Sequence, residues 1–235
     1  MKASEGIHGY RALLLTGYWF RTISAALQDW IIASATLRRL AADERVFARG
    51  APPCGLYAVV EGAIRATGVS PAGKEALLTL IEAPHWFGEI ALFDGLPRTH
   101  DTIAVGPTTV VHIAQPALES LLREQPQYWQ AFGLLLTHKL RLSFLVLEDT
   151  ALLPAPVRLA RRLLMIAEGY GERSNQERRI IALQQEQLAM MLSLSRQTTN
   201  QILQDLGAQG ILRLARGEIE ILDIDKLRAA GTALD

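Results

Sequence analysis

The chain has 235 residues, of which 49% are hydrophobic and 20% charged. Such a composition buries a sizeable core and excludes a disordered polymer, and the length suits one large domain or two ordinary ones. The 24 basic and 24 acidic residues cancel, which excludes a polybasic coat for nucleic acid but leaves room for a small local patch. The single cysteine, Cys54, excludes an internal disulfide framework, an all-cysteine zinc site and a four-cysteine iron–sulfur cluster within one chain. No apolar run approaches the ~20 residues of a membrane helix. Glu5 and His8 ahead of Leu13–Leu15 make a poor signal peptide. A soluble cytoplasmic protein with no membrane partner is expected.

Residues 1–17 show no period and read as a tail or a short helix. Between 18 and 45, Trp19, Phe20, Ile23, Leu27, Trp30, Ile31 and Leu37 recur at helical spacing. From Val46 to Gln115 the chain breaks into strand-sized runs: Leu56–Val60, Ala63–Ala66, Ala76–Ile81, Thr102–Val105 and Thr109–Ile113. Turn formers such as Glu61-Gly62 and Asp94-Gly95 separate them. Strands without intervening helices predict an antiparallel sandwich or barrel.

Gln127 to Leu153 is then a long helical segment. Tyr128, Ala131, Leu135, His138, Leu142 and Leu145 follow three- and four-residue steps. That stripe can bury itself against the barrel or against a second copy, and the heptad spacing favours a dimer seam. Pro154 and Pro156 stop the helix and mark a hinge. Beyond it come a helix over Val157–Ala167, a polar loop over Gly169–Arg178, and helices over Glu186–Leu192 and Arg196–Gln209. A hairpin of Ile211–Ala215 and Glu218–Leu222 closes the domain.

Two segments carry chemistry. In the first, Ser195 is placed to cap a helix whose Thr199, Ile202, Leu203 and Leu206 face inward. Arg196, Gln197, Asn200 and Gln201 face out. Arginine pairs with the two acceptors of guanine, and Asn or Gln with adenine, so this face suits base readout in a major groove. Ser195, Thr198, Arg213 and Arg216 are the candidate backbone contacts, the two arginines belonging to a hairpin whose tip is Arg216-Gly217. An ordinary solvated helix pair would look similar. In the second, Gly88, Glu89 and a short apolar turn lead to Arg98 and Thr99, ten and eleven residues after the glycine. Glycine admits close backbone approach, Arg98 offers a two-pronged phosphate clamp, Thr99 adds a donor, and Glu89 accepts from a sugar hydroxyl. Glu89 and Arg98 could equally form a structural ion pair. No catalytic constellation and no metal-ligand spacing is present, so no enzyme is expected.

Gly88-Glu89 with Pro97-Arg98-Thr99, and Gln187-Leu188-Ala189 with Ser195-Arg196-Gln197-Thr198, together resemble the Crp–Fnr transcription regulators. The resemblance runs from about Trp19 to Arg228. It implies an α+β chain: a jelly-roll cyclic-nucleotide-binding barrel (18–125, after a tail of 1–17), a dimerisation helix (126–153) and a winged helix-turn-helix domain (154–235). It implies a homodimeric regulator bound to a near-palindromic double-stranded DNA operator, with RNA polymerase as a partner. By the same resemblance the effector is cyclic AMP or another cyclic nucleotide, held by Gly88, Glu89, Arg98 and Thr99. Registering the family's long helix adds Ser143 against the base. Phe144 stands where cyclic AMP-binding members carry a second hydroxyl, and His100-Asp101 replace the usual small residues. Gln197 and Gln201 stand in place of a glutamate and an arginine, which implies a different operator. The alternative from another class is a nucleotide-sensing regulatory or scaffold protein that binds a protein partner through the Gln/Asn/Arg face.

Overall fold

A computed structural model describes residues 6–73, 75–171, 179–215 and 217–232. They form two compact units, one of 1–68 with 78–140, the other of 69–77 with 141–235. In chain order, the elements up to Gly88 are α1 (Arg11–Leu14), α2 (Tyr18–Thr22), α3 (Ala25–Ser34), β1 (Thr36–Leu40), β2 (Arg45–Phe47), β3 (Gly55–Glu61), β4 (Ala63–Val69), β5 (Glu75–Glu82) and β6 (Trp86–Phe87). Then follow α4 (Ile90–Asp94), β7 (Asp101–Ala104), β8 (Thr108–Ala114), α5 (Gln115–Glu124) and α6 (Trp129–Leu152).

The strands make two antiparallel sheets, β1-β8-β3-β6 and β2-β7-β4-β5, arranged as an open jelly roll. β3 is buried along nearly all its length because both of its faces are covered. Tyr57 and Val59 point between the sheets with Ile64, Phe87, Ala104 and Val110. Leu56, Ala58 and Val60 point the other way, onto Trp19, Phe20, Leu27, Leu121, Phe132 and Leu135 from the surrounding helices. The period of two in the strand thus meets the period of about 3.6 in the helices on one shared surface. Residues 7–14, expected as a tail or short helix, make two helical turns that bury Leu14. The helical reading of 18–45 ends at Ser34. Leu37 lies on β1 instead, where it pairs with Val111.

The seam on α6 needs a correction. Leu135 is fully buried in its own unit, and Tyr128 and Ala131 pack against the same core. Trp19 Nε1 donates to the Ala131 carbonyl at 2.7 Å. His138 lies 5.9 Å from the Tyr18 ring. The first half of the stripe is therefore occupied by the barrel. The large apolar side chains that remain exposed on α6 are Trp129, Leu134, Leu140, Phe144, Leu145, Leu147 and Leu152. Leu142 is only half-buried.

In the second unit, α7 (Ala155–Ala167) begins after Pro154 and buries Val157, Leu159, Leu163 and Ile166. Next come β9 (Ile180–Ile181), α8 (Gln185–Leu192), α9 (Arg196–Ala208), β10 (Leu212–Ala215), β11 (Glu218–Ile221) and α10 (Ile224–Ala230). The expected hairpin is present, and β9 adds a third strand that was not foreseen, giving the order β10-β11-β9. Part of the expected polar loop, 172–178, and Arg216 lie outside the described residues.

Within this unit, Asp149 near the end of α6 pairs with Arg161 of α7. Arg161 Nη1 reaches Asp149 Oδ1 at 2.6 Å, and its Nε donates to the Gly231 carbonyl at 2.8 Å. Among the described residues, no helix is long and apolar enough to cross a membrane.

Candidate functional site

Gly88–Ala91 and Pro97–His100 line a cavity of about 160 Å³ in the first unit, together with Phe47, Ile81 and Lys139. Gly88 follows β6 with φ +97°, and a Cβ there would stand 3.0 Å from Arg98 Nη1. Only glycine accepts both that backbone and that neighbour. The Arg98 guanidinium points into the protein. Nη1 donates to the Gly88 carbonyl at 2.6 Å, and Nη2 donates to the Gly55 carbonyl and, at 3.1 Å, to Cys54 Sγ. The guanidinium carbon lies 4.3 Å above the centre of the Phe47 ring. Gly55 is required here for its own reason: at φ +119°, a Cβ would lie 2.0 Å from the Ile113 carbonyl.

Arg98 is 4% exposed, and its Nε is buried without a hydrogen-bond partner. Among the described residues Arg98 makes no ion pair. Glu89 does not pair with it. Its carboxylate, 3% exposed, receives Lys139 Nζ at 2.7 Å from α6. The two ends of the alternative, a structural Glu–Arg pair, are thus separately engaged, one by a lysine and one by carbonyls.

Thr99 is exposed, and its Oγ1 lies 2.8 Å from His100 Nδ1. Burial and the Arg49 guanidinium hold the His100 imidazole below its ordinary range, with Asp101 opposing them. Asp101 is turned to other work, accepting from the Arg49 amide at 3.2 Å and facing Arg45 at 3.5 Å. Ser143 lies one helical turn beyond Lys139 and is exposed, as is Phe144.

A second polar group surrounds Arg98. Tyr57 donates to Cys54 Sγ at 3.3 Å, and His112 Nε2 is 2.8 Å from the Cys54 carbonyl. The His112 and Tyr57 rings stack at 4.4 Å. Burial, then the contact with Cys54, pushes the Tyr57 phenol well above its ordinary range, so it remains a donor. Burial holds His112 below its usual value.

Sequence reasoning missed Lys139, Phe47 and Gly55. Lys139 had a usable signal: residues four apart share a helix face, and Ser143 had already been placed against the effector. Phe47 and Gly55 had none, each lying more than 40 residues from Arg98 in sequence.

On the second unit, α8 starts with a capping box between Gln184 and Gln187 and ends at Ser193, which adopts the left-handed conformation at φ 55°. Ser195 caps α9 by accepting from the Thr198 amide at 3.0 Å, and the two hydroxyls lie 2.7 Å apart. Thr199, Ile202, Leu203 and Leu206 are buried as expected. Arg196, Gln197, Thr198 and Gln201 are exposed, and Asn200 is half-buried. Gln201 Nε2 is held by Asp205 at 2.9 Å.

Arg213 faces Glu220 across the β10–β11 ladder, and Nε donates to its carboxylate at 2.6 Å. The candidate wing cation is therefore neutralised by a directly opposed carboxylate. Asp223 instead caps α10, and Asp225 pairs with Arg228.

Comparison with known proteins matches residues 37–125 to the cyclic nucleotide-binding domain and 157–230 to the Crp-like helix-turn-helix domain. A CRP-like cAMP-activated global transcriptional regulator of Mycobacterium tuberculosis is 31% identical over 183 residues, 77% of this chain and 82% of that protein. The cyclic AMP receptor protein of Thermus thermophilus is 27% identical over 177 residues, 75% and 79% of the two chains. Among solved structures, FixK2 from Bradyrhizobium japonicum superposes with a TM-score of 0.74 at 20% identity, over 86% of this chain and 99% of that one. That last likeness is one of fold.

Proposed function

Because the chain belongs to the Crp–Fnr family of transcription regulators, we propose that it binds a near-palindromic duplex site as a homodimer and answers to an anionic effector of the cyclic nucleotide class. It is a DNA-binding regulator and not an enzyme. The observation that carries the effector reading is Arg98. A buried guanidinium without a counter-charge, with one N–H unmet, stands at the wall of a cavity. Burying a charge without a partner is costly, and an entering phosphate would remove that cost. The Mycobacterium tuberculosis relative is named as cAMP-activated, which makes cyclic AMP the first candidate. Glu89 and Lys139 would meet the ribose side, Thr99 the phosphate, and Ser143 the base. Effector contacts that differ between two arrangements of α6 and the Pro154–Pro156 hinge would then bias the DNA-reading helices. Exposed Arg196, Gln197, Asn200 and Gln201 would read base edges, Ser195 and Thr198 would touch backbone, and Arg213 would do so only after leaving Glu220. RNA polymerase, and a cytoplasmic location, follow from the family role.

One observation favours a second reading, in which the barrel is only a scaffold. The carbonyls of Gly55 and Gly88 already hold Arg98, and about 160 Å³ is small beside the ~300–1,000 Å³ of common small-molecule sites. The test is operator selection from a random duplex pool, followed by calorimetric titration of cyclic AMP and cyclic GMP into wild type and Arg98→Lys. The proposal expects an enriched palindrome, and nucleotide binding that weakens at least about tenfold in the variant. Operator affinity that ignores every nucleotide would establish the scaffold. A folded chain that enriches no sequence with or without nucleotide would overturn the operator reading.

A further inference from the structure

We infer that His100 is a positioning residue of the effector cavity, and that it aims the Thr99 hydroxyl proton at the bound anion. This rests on the effector reading above. The two side chains are neighbours in sequence, and on a regular strand they would point to opposite faces. Here they precede β7 in a bend, and Thr99 Oγ1 comes within 2.8 Å of His100 Nδ1. Both line the cavity with Arg98, Glu89 and Lys139.

The chemistry of that contact has two states. A neutral imidazole carries one donor nitrogen and one acceptor nitrogen. With the proton on Nδ1, His100 donates to Thr99 Oγ1, and the threonine proton is left to donate into the cavity. With the proton on Nε2, Thr99 spends its proton on Nδ1 and presents only lone pairs to the cavity. An anionic oxygen is stabilised by the first state and repelled by the second. A bound phosphate therefore selects the Nδ1–H tautomer, and the chain Nδ1–H, Oγ1–H, phosphate oxygen runs in one direction. Burial and Arg49 hold the imidazole below its ordinary range, so the two neutral tautomers are the states that compete at neutral pH. Residue 100 thus decides whether Thr99 serves an anion or a neutral hydroxyl.

The experiment is a double-mutant cycle read by calorimetric titration with cyclic AMP. It uses wild type, His100→Ala, Thr99→Val and the double variant, with His100→Asn as the conservative control. His100→Ala is expected to weaken binding about five- to tenfold, and His100→Asn, whose amide N–H replaces Nδ1–H, to recover most of it. In the Thr99→Val background, His100→Ala is expected to change nothing further, because the hydroxyl it serves is gone. Nitrogen NMR of the nucleotide-bound protein is expected to place the His100 proton on Nδ1. Equal losses from His100→Ala in both backgrounds, or a proton on Nε2, would overturn the inference while leaving the effector reading intact. A folded wild type that binds neither cyclic AMP nor cyclic GMP would overturn both.

Discussion

Replacing Arg161 with Met should destabilise the second unit far more than replacing its partner, Asp149, with Asn. The asymmetry follows from exposure. The Asp149 side chain is 12% exposed and the Arg161 side chain 40%. Removing Arg161 strands a carboxylate that water barely reaches, whereas removing the carboxylate strands a guanidinium that can turn to solvent. Orphaning a buried member of an ion pair costs about 3–5 kcal/mol, and partial exposure brings this towards about 2–3. Arg161→Met also loses the hydrogen bond to the Gly231 carbonyl, worth about 1 kcal/mol. The sum is about 3–4 kcal/mol, against about 1 for Asp149→Asn. The double variant should recover to about 1–2 kcal/mol, because no carboxylate is then left buried. The assay is urea unfolding followed by two signals. All four tryptophans, Trp19, Trp30, Trp86 and Trp129, lie in the first unit, so fluorescence reports that unit, while circular dichroism also sees the helices of the second. The dichroism transition should move early in Arg161→Met while the fluorescence midpoint stays. If Asp149→Asn proves as damaging as Arg161→Met, or the double variant no better than the worse single one, the reasoning from burial is refuted.

Three other outcomes are expected. Arg196→Ala should lower discrimination at one base pair by about 1–3 kcal/mol; a uniform loss over all duplexes, measured by competition binding, would make it a phosphate contact instead. In the proposed homodimer, Leu145→Glu should push the monomer–dimer equilibrium in sedimentation towards monomer by at least about tenfold, since two-fold symmetry would place two unpaired charges in one interface; an unchanged dimer would move the proposed seam elsewhere on α6. His100 and His112 both have imidazoles held below their ordinary value, so the unfolded chain takes up protons first. Their contribution to stability is complete above about pH 6.5 and declines as the pH falls below it. The fluorescence melting midpoint should therefore drop between about pH 7 and 5, and His112→Gln should flatten that slope at a constant cost from lost stacking; an unchanged slope would acquit His112.

The parts of the site that were legible in the sequence are those whose logic is local. The Ser195 cap and the inward Thr199, Ile202, Leu203 and Leu206 follow from spacing along one helix, and α9 lies within a residue of where that spacing puts it. Gly88, Glu89, Arg98 and Thr99 do line one cavity, since a short helix and a turn separate them. What Arg98 touches was not legible, because Cys54 and Gly55 approach it only once β3 is laid in its sheet. The same limit explains Leu135. A heptad stripe has one appearance whether the partner is a second copy or the chain's own barrel, and here the first turns went to the barrel. β1, β2 and β6 escaped notice because segments of two to five residues carry too little alternation to register.

The zero net charge acquires a structural meaning from where the charges are spent. From 157 to 235 the chain has eleven basic and ten acidic residues, a balance that by itself leaves little general attraction to a polyanion. Local pairing reduces it further. Arg213 is taken by Glu220, Arg161 by Asp149, and Arg228 by Asp225 and Glu168. Counterion release scales with the number of phosphates neutralised, so each arginine held by a carboxylate is one fewer to supply that term. Exposed Arg196, beside uncharged Gln197 and Thr198, lies at the start of α9, where a recognition helix presents its first turn to base edges. A DNA binder built this way depends on a few placed contacts repeated by symmetry, and its operator affinity should fall only gently with salt. A steep slope, on the scale of about ten phosphates neutralised per dimer, would mean that Arg213 and Arg228 abandon their carboxylates on binding.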